Sequence, residues 1–408
     1  MALPPPLRLY PTGPGLDRTP LGRSALPESN WTRAPWNVWF SKFLHEYKLA
    51  VVYPILPAPQ ALALHERTAV DPAAKPALYA GDSSWRIPNE PLVYAADGTP
   101  VDDAKFKQDN VRNIVEHAKQ HGGVVSFTMV NNVFLDTARS WLCNVDVAGF
   151  KPRGLLWAVT DEETRDAMTA ISDSHTVLLD DVKGGKETGH EFGNPGYWKL
   201  MLERTALIGE ILRNGVAVFA FETDAIWLED PEPYIQELVR QDADVVGTIN
   251  TRMEVSGNFF YLRPTLATRR MWDEVTNGFE AAFRKEHFEK KAADSWTYIE
   301  NDQSLLTKLV LRNETWRRSY PLTFLTLDME LFTDGRWYKP EEGFYTTDRA
   351  REPVVINNNF VIGVQEKTMR AKKWDHWFWD EKQKKCLNSV VEKAVRKSRK
   401  PPSGNFIL

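Results

Sequence analysis

From residue 111 onward the apolar positions of the chain fall into a strand–helix alternation. Val111–His121 carries apolar residues at helical spacing, and Gly122-Gly123 stops it. Val124–Val130 predicts a strand that Asn131-Asn132 breaks, and helical spacing returns over Val133–Val147. Leu155–Val159 predicts a second strand, followed by the helix-start signal Thr160-Asp161-Glu162-Glu163. Thr176–Leu179 reads as a third strand and Tyr197–Leu212 as a long helix. The fourth strand is the plainest. After Gly215, Val216–Phe221 is apolar at every position, as in a parallel strand covered on both faces. Further on, Asp244–Thr248 and Asn258–Leu262 predict strands and Thr265–Phe283 a helix. Glu300-Asn301-Asp302-Gln303 opens a helix over Ser304–Leu311, with acids where the helix dipole favours them. Pro353–Gly363 is an apolar strand interrupted by Asn357-Asn358-Asn359, whose amides need partners or a ligand.

Such alternation predicts βαβ units: an α/β, Rossmann-like architecture with a mostly parallel sheet flanked by helices. It comes without a G-x-G-x-x-G fingerprint or a P-loop. Lys183-Gly184-Gly185-Lys186 is glycine-rich but opens no helix, and reads as a loop. The N-terminal texture is different, with Pro4-Pro5-Pro6, Pro11, Pro14 and Pro20 among aromatics and only patches of periodicity. Within it, Trp36–Leu44 has the spacing of a short helix that packs on the body. The expected division is a Pro/aromatic-rich extension over 1–105, an α/β domain over 106–385 and a basic tail over 386–408. In that tail Lys393–Lys400 reads as a frayed helix end.

Composition narrows the function classes. The 408 residues can hold one large or two ordinary domains, and 42% hydrophobic with 26% charged content is that of a soluble globular protein. A formal net charge of -4 gives no electrostatic footprint for nucleic acid. Fifteen tryptophans are many; the cluster Trp374–Trp379 supplies core or a sugar-stacking wall, with core the commoner role. Cys143 and Cys386 are too few for a disulfide framework or a thiolate metal site and leave the redox compartment open. No stretch approaches the roughly 18 apolar residues of a membrane span, and the N-terminus lacks a charged-then-apolar signal pattern. The sequons Asn30-Trp31-Thr32 and Asn313-Glu314-Thr315 matter only in the secretory pathway. The expected compartment is therefore the Golgi lumen if an anchor or signal is missing from this chain, and otherwise the cytoplasm.

The candidate chemistry sits at the end of the fourth strand. Glu222-Thr223-Asp224 places two carboxylates one residue apart, with the apolar run Ala225-Ile226-Trp227-Leu228 directly behind. Burying such a pair is costly unless it is paired or holds a cation. Hard divalent ions bind through one or two carboxylates plus substrate phosphates, and ligands of open α/β sheets gather at strand carboxyl ends. An isolated E-x-D is more often two solvated acids. Other residues have equally plain alternatives. Asp302 can cap its helix, Lys367 can be a surface lysine, and Asn357–Asn359 can pair with turn backbone. Trp227 reads as core, and His190 and His376, without companions at zinc-ligand spacing, as structural or exposed.

Several blocks carry a family resemblance. Phe221–Pro231 resembles the "sDvDvvWlrdP" segment of the nucleotide-diphospho-sugar transferases, the GT-A glycosyltransferases of the family 77 type. Ser256–Thr265 is similar to that family's "tGfmylrsT" strand and Asn301-Asp302-Gln303 to its "nDQ". Leu331–Arg336 resembles "LFpnG", and Asn359–Gly363 with Lys367 the terminal "Nw..G...K", so the likeness covers roughly residues 110–380. It implies a GT-A fold and transfer of a galactose-, xylose- or arabinose-class sugar from a UDP-sugar to a glycan or glycoprotein acceptor, with retention. It also implies site roles. Asp224 would hold metal and diphosphate, and Glu222 the metal or ribose. Asn357 and Lys367 would close on the diphosphate, Asn357 also as a metal ligand. Asn131 would contact the nucleotide, and Asp302 and Gln303 the sugar. The metal would be Mn²⁺ or Mg²⁺. Two departures stand out: Glu222 replaces the first acid of the usual D-x-D, and neutral Asn357 replaces a histidine, which weakens the expectation of strong metal dependence. The alternatives are a catalytically silent relative that binds a nucleotide sugar or glycan, and a nucleotide-sugar hydrolase or nucleotidyltransferase on a similar sheet.

Overall fold

The computed structural model describes residues 103–179, 193, 195–289, 299–313, 322–342 and 353–395, together with a two-stranded ladder between Leu9–Pro11 and Leu49–Val51. Trp36–Leu44, Lys183–Lys186, His190 and residues 396–408 lie outside the described residues.

Seven strands form one sheet. In chain order they are β1 (Val124–Val130), β2 (Leu155–Val159), β3 (His175–Leu178), β4 (Ala217–Phe221), then β6 (Val245–Ile249), β7 (Val255–Leu262) and β8 (Phe324–Thr326). Their spatial order is β8-β6-β7-β4-β1-β2-β3, so the strand that leads into Glu222 is central. All neighbours run parallel except β7, which enters antiparallel between β6 and β4. The expected mostly parallel α/β sheet is the one observed.

The all-apolar run over β4 serves both faces. Val218 and Ala220 join one core with α1 (Asp103–Gln120), α4 (Pro195–Arg213) and α6 (Leu266–Glu289). Ala217, Phe219 and Phe221 join the other, with α2 (Leu135–Ala148), α3 (Glu162–Ile171) and α5 (Glu232–Arg240). Each fully buried phenylalanine on this strand contributes about 1.5–3 kcal/mol. Local signals set the ends of the elements. Gly122 and Gly123, at φ 75° and 77°, turn the chain out of α1 where a side chain would be strained. Asp161 caps α3 by accepting from the Thr164 amide at 2.7 Å.

A small second sheet positions the site. β5 (Ala225–Trp227) starts one residue after Asp224 and pairs antiparallel with β10 (Val355–Asn357), which pairs parallel with β9 (Phe332–Thr333). The strand expected over Pro353–Gly363 is thus only three residues long, because the asparagines after it turn into α8 (Val364–Lys373). The helix expected to reach Leu311 is α only over Asp302–Thr307 (α7) and widens into a π-turn over Lys308–Arg312.

A third core lies under the small sheet, where Ile226, Ile356, Trp377, Phe378 and Val391 meet. Cys143 on α2 is disulfide-bonded to Cys386, and α9 (Asn388–Ala394) packs against α2 as well. Residues 386–395, grouped with the tail in the sequence division, are therefore covalently tied to the α/β body. Trp377 and Trp379 are core, as is Trp227 at 1% exposure.

Candidate active site

Glu222-Thr223-Asp224 is the junction between the two sheets. The Ala225 amide donates to the Glu222 carbonyl at 3.0 Å, closing a tight turn between β4 and β5. Asp224 is buried, and its Oδ2 accepts from Lys367 Nζ of α8 at 2.5 Å. Its Oδ1 is buried without a hydrogen-bond partner. Asn357 stands opposite Ala225 in the β10–β5 register, is 1% exposed, and its Oδ1 is likewise buried and unpartnered. Two orphaned oxygens at one strand junction are expensive unless a ligand meets them.

The charges there are mutually adjusted. Burial raises the Glu222 pKa, Asp224 raises it further, and Lys367 and Arg204 oppose both. Burial works against the Lys367 ammonium, but Asp224 and Glu222 outweigh it and hold its pKa above the usual lysine value.

Asp302 lies on the adjacent wall. Asn301, not Asp302, caps α7, in a reciprocal capping box with Ser304. Asp302 is buried; its Oδ1 accepts from the Gln303 amide at 2.9 Å and its Oδ2 faces Arg204 Nη1 at 3.2 Å. Arg204 Nη2 also donates to the Gly257 carbonyl at 2.9 Å. Gln303 bridges the Gly257 amide (3.1 Å) and Glu254 (3.1 Å); a Cβ on Gly257 would meet the Gln303 Cβ at 2.9 Å, so the close approach depends on glycine. Burial raises the Asp302 pKa against the pull of Arg204. The two walls share one field. Arg204 and Asp302 act on Glu222, while Glu222, Asp302 and Asp224 all raise the pKa of the half-buried Tyr197 beyond what burial does.

The structure therefore brings Glu222, Asp224, Asn357 and Lys367 together and places Asp302 and Gln303 beside them. Asn131 stands at the carboxyl end of β1, next to β4, but its Oδ1 is used to cap the turn Asn132–Phe134, accepting from the Phe134 amide at 3.2 Å. Among the described residues no hydrogen bond joins it to Glu222, Asp224, Asn357 or Lys367.

The nucleotide-diphospho-sugar transferase family model matches residues 153–371, more than half of the chain. The chain belongs to this family. It is 21% identical over 305 residues to a UDP-D-xylose:L-fucose alpha-1,3-D-xylosyltransferase of Arabidopsis thaliana, covering 71% of this chain and 78% of that one. It is also 21% identical over 294 residues to a UDP-galactose:fucoside alpha-3-galactosyltransferase of Dictyostelium discoideum, covering 65% of this chain and 44% of that one. Among solved structures, the glycosyltransferase GlyE of Streptococcus pneumoniae matches with a TM-score of 0.37 and 14% identity, over 66% of this chain and 62% of that one. The family match spans every assigned site residue except Asn131. The chain is thus a glycosyltransferase that draws on a nucleotide-diphosphate sugar, as the sequence blocks imply.

Several residues of the candidate site had no signal in the sequence. Arg204 sits inside an amphipathic helix pattern, where an arginine reads as solvated, yet it is 3% exposed. Arg370 pins the asparagine turn through Asn358 Oδ1 (2.7 Å) and the Asn359 carbonyl (2.6 Å). The asparagines divide accordingly. Asn358 and Asn359 hold the turn, the latter accepting from the Gly335 amide at 2.7 Å, while Asn357 stays in the ladder opposite Ala225. Behind Asp224 a cavity is lined by Ser140, Asn144, Thr223, Lys367 and His376. Asn144 holds both backbone groups of Trp227 (2.9 and 3.0 Å), and His376 is a structural partner of the Tyr338 hydroxyl at 3.0 Å.

Proposed function

We propose that the transferase moves a xylose-, galactose- or arabinose-class sugar from its UDP-sugar to a fucose-bearing glycan or glycoprotein, with retention. The carrying observation is the junction where Asp224 Oδ1 and Asn357 Oδ1 are buried without partners while Lys367 holds Asp224 Oδ2. These oxygens, with Glu222, suit a hard divalent ion, Mn²⁺ or Mg²⁺. Among the described residues no group of three His, Cys, Asp or Glu side chains could hold such an ion alone, so diphosphate oxygens would complete its shell. A bound ion would supply Lewis-acid stabilisation of the charge that grows on the diphosphate. Lys367 adds a fixed cation to the same charge. Asp302, presented by Arg204, and Gln303 orient the sugar or stabilise an oxocarbenium-like state.

The relatives' names give the donor class and fucose or fucoside acceptors, and they name alpha products. UDP-xylose and UDP-galactose carry their sugars in the α configuration, so an α product means retention. The Cys143–Cys386 disulfide favours an oxidising compartment and supports the Golgi lumen over the cytoplasm.

The test supplies UDP-xylose or UDP-galactose with methyl α-L-fucoside, with and without Mn²⁺, and reads UDP release and the product's anomeric coupling by NMR. Transfer that forms an α linkage is expected, and chelation is expected to suppress it. Asp224→Ala should weaken Mn²⁺-dependent UDP binding in calorimetry by about 2–5 kcal/mol. UDP binding without turnover on any acceptor would instead identify a silent relative. Unchanged UDP affinity in the variant would remove Asp224 from the site.

A further inference from the structure

The hairpin turn between β6 and β7 stands over the mouth of the site. Phe221, the last residue of β4, pairs with Phe259 on antiparallel β7. The residues of β7 before Phe259 therefore run past the carboxyl end of β4, and Val255 lies about 13 Å further along. Gly257, on the way, is the residue that Arg204 and Gln303 both grip. Glu254 comes next outward, beyond the wall formed by Asp302 and Gln303.

The turn that presents Glu254 is fastened on several sides. Asn250 is buried; its Oδ1 accepts from the Arg252 amide (2.9 Å) and the Glu254 amide (3.1 Å), and its own amide donates to the Glu254 carbonyl at 2.9 Å. Asp334 Oδ2 accepts from the Thr251 amide (3.0 Å) and hydroxyl (2.8 Å). The Glu254 side chain is held as well. Its Oε2 accepts from Gln303 Nε2 at 3.1 Å and from Asn250 Nδ2 at 3.4 Å. Both bonds fall on the same oxygen. Oε1 has no hydrogen-bond or ion-pair partner among the described residues, and the residue is only half-buried. A glutamate that merely closed the turn would need one oxygen. Here a second acceptor, fixed in place, is left over beside the amide assigned to the sugar, which is the preorganisation that recognition of a hydroxyl requires.

Resting on the transferase reading above, we propose that Glu254 recognises the acceptor, its Oε1 accepting a hydrogen bond from a hydroxyl next to the one that is glycosylated. The order of residues along the cleft decides which substrate it serves. Asp224 and Lys367 lie at the end of β4 for the diphosphate, Asp302 and Gln303 beside them for the transferred sugar, and Glu254 outside both. A carboxylate oxygen only accepts, so its partner on a neutral sugar is a hydroxyl. Gln303 joins the two sugar sites directly, so Glu254 meets the acceptor close to the point of attachment.

The test uses Glu254→Gln, in which the amide oxygen takes over the bonds from Gln303 and Asn250 and an NH₂ group replaces Oε1. A turn-holding role is kept and the spare acceptor is lost. Initial rates are measured with methyl α-L-fucoside and with its 2-deoxy and 4-deoxy analogues, which lack the hydroxyls flanking the 3-position named for the relatives' products. UDP-xylose or UDP-galactose is saturating and Mn²⁺ present, and UDP affinity is read separately by calorimetry. The variant should raise the acceptor KM about tenfold or more, the loss expected for a hydrogen bond to a charged group. Its kcat should stay within about twofold, with UDP affinity and melting temperature unchanged. One deoxy analogue should show the same raised KM with the wild-type chain, and Glu254→Gln should add nothing to it. An unchanged acceptor KM in the variant overturns the proposal, as do losses that add for both analogues. Weakened UDP binding in the variant overturns it in another way, by moving Glu254 to the donor. A wild-type chain that turns over no acceptor removes the transferase reading and this proposal together, whereas the other outcomes remove this proposal alone.

Discussion

Asp224 and Asp302 are both buried, at 4% and 5% exposure, and each faces one cation, yet they are built for different work. Asp224 meets the point charge of Lys367 with one oxygen and leaves the other without a partner. Lys367 keeps 19% of its side chain exposed, so water, an ion or a phosphate can compete for it. Asp302 is closed in. Arg204 holds one oxygen, the Gln303 amide the other, and Arg204 is itself fixed to the Gly257 carbonyl, with side-chain exposures of 3% and 7% for the pair. One wall is incomplete and can be completed by a ligand. The other is finished before a ligand arrives, as the proposed role of orienting a sugar would require.

The strongest way to break this comparison is to open the finished wall. Arg204→Met should destabilise the fold by about 3–5 kcal/mol in urea unfolding, because it leaves Asp302 buried and unpaired. Lys367→Met should cost less than that, since Lys367 keeps 19% of its side chain exposed and water can enter its place beside Asp224. Equal losses would mean that the two pairs are structurally equivalent.

A smaller effect separates binding from turnover. Asp302→Asn should leave UDP affinity within about twofold and lower turnover about 10²-fold, as for a group acting mainly in the transition state. Asn301 caps α7, so a helix-end defect is not available as the explanation. Near-normal turnover would make Asp302 a buried partner of Arg204 and nothing more.

The incomplete wall was largely legible in the sequence, and the finished one only in part. Glu222 and Asp224 stood out because a strand apolar at all positions has one plausible use, at the middle of a parallel sheet, and β4 is there. Asn357 and Lys367 were found through the family blocks, since no spacing rule joins positions more than a hundred residues apart. Asp302 was visible, but its partner was not. Arg204 lies in a helix whose sequence offers solvent for an arginine, and only the packing of α4 on β7 and α7 buries it. The cysteines show the same limit: two residues 243 apart have no pairing signal until α2 and the β-hairpin of Trp379–Cys386 are brought together. The short β10 was misjudged for a local reason. Its asparagines bond to the turn and to Arg370 rather than continuing the ladder.

The smallest effect sharpens the comparison within the incomplete wall. Glu222 has its pKa raised by burial and then by Asp224, more than Lys367 and Arg204 lower it. In the folded state it therefore keeps its proton to a higher pH than in the unfolded chain, where a glutamate titrates near about 4.3. Between those two pKa values the native state binds more protons, so this group's contribution to stability falls as pH rises through the window. Above the window the cost of a half-buried charge is fully present. Glu222→Gln removes that cost and should raise stability at pH 7, by about 1 kcal/mol or less. The advantage should vanish as pH falls toward 4, where the wild-type carboxyl is also neutral. Asp302 shifts in the same direction in both proteins, so the difference between them isolates Glu222. The same variant should bind UDP more weakly when Mn²⁺ is present, because the charge that costs stability is the one a cation would use. Melting curves from pH 4 to 8, with UDP calorimetry on the same samples, check both halves. A Glu222→Gln protein that is less stable at pH 7, or whose difference from wild type ignores pH, would show that Glu222 is already compensated by the protein and has nothing left to offer a ligand.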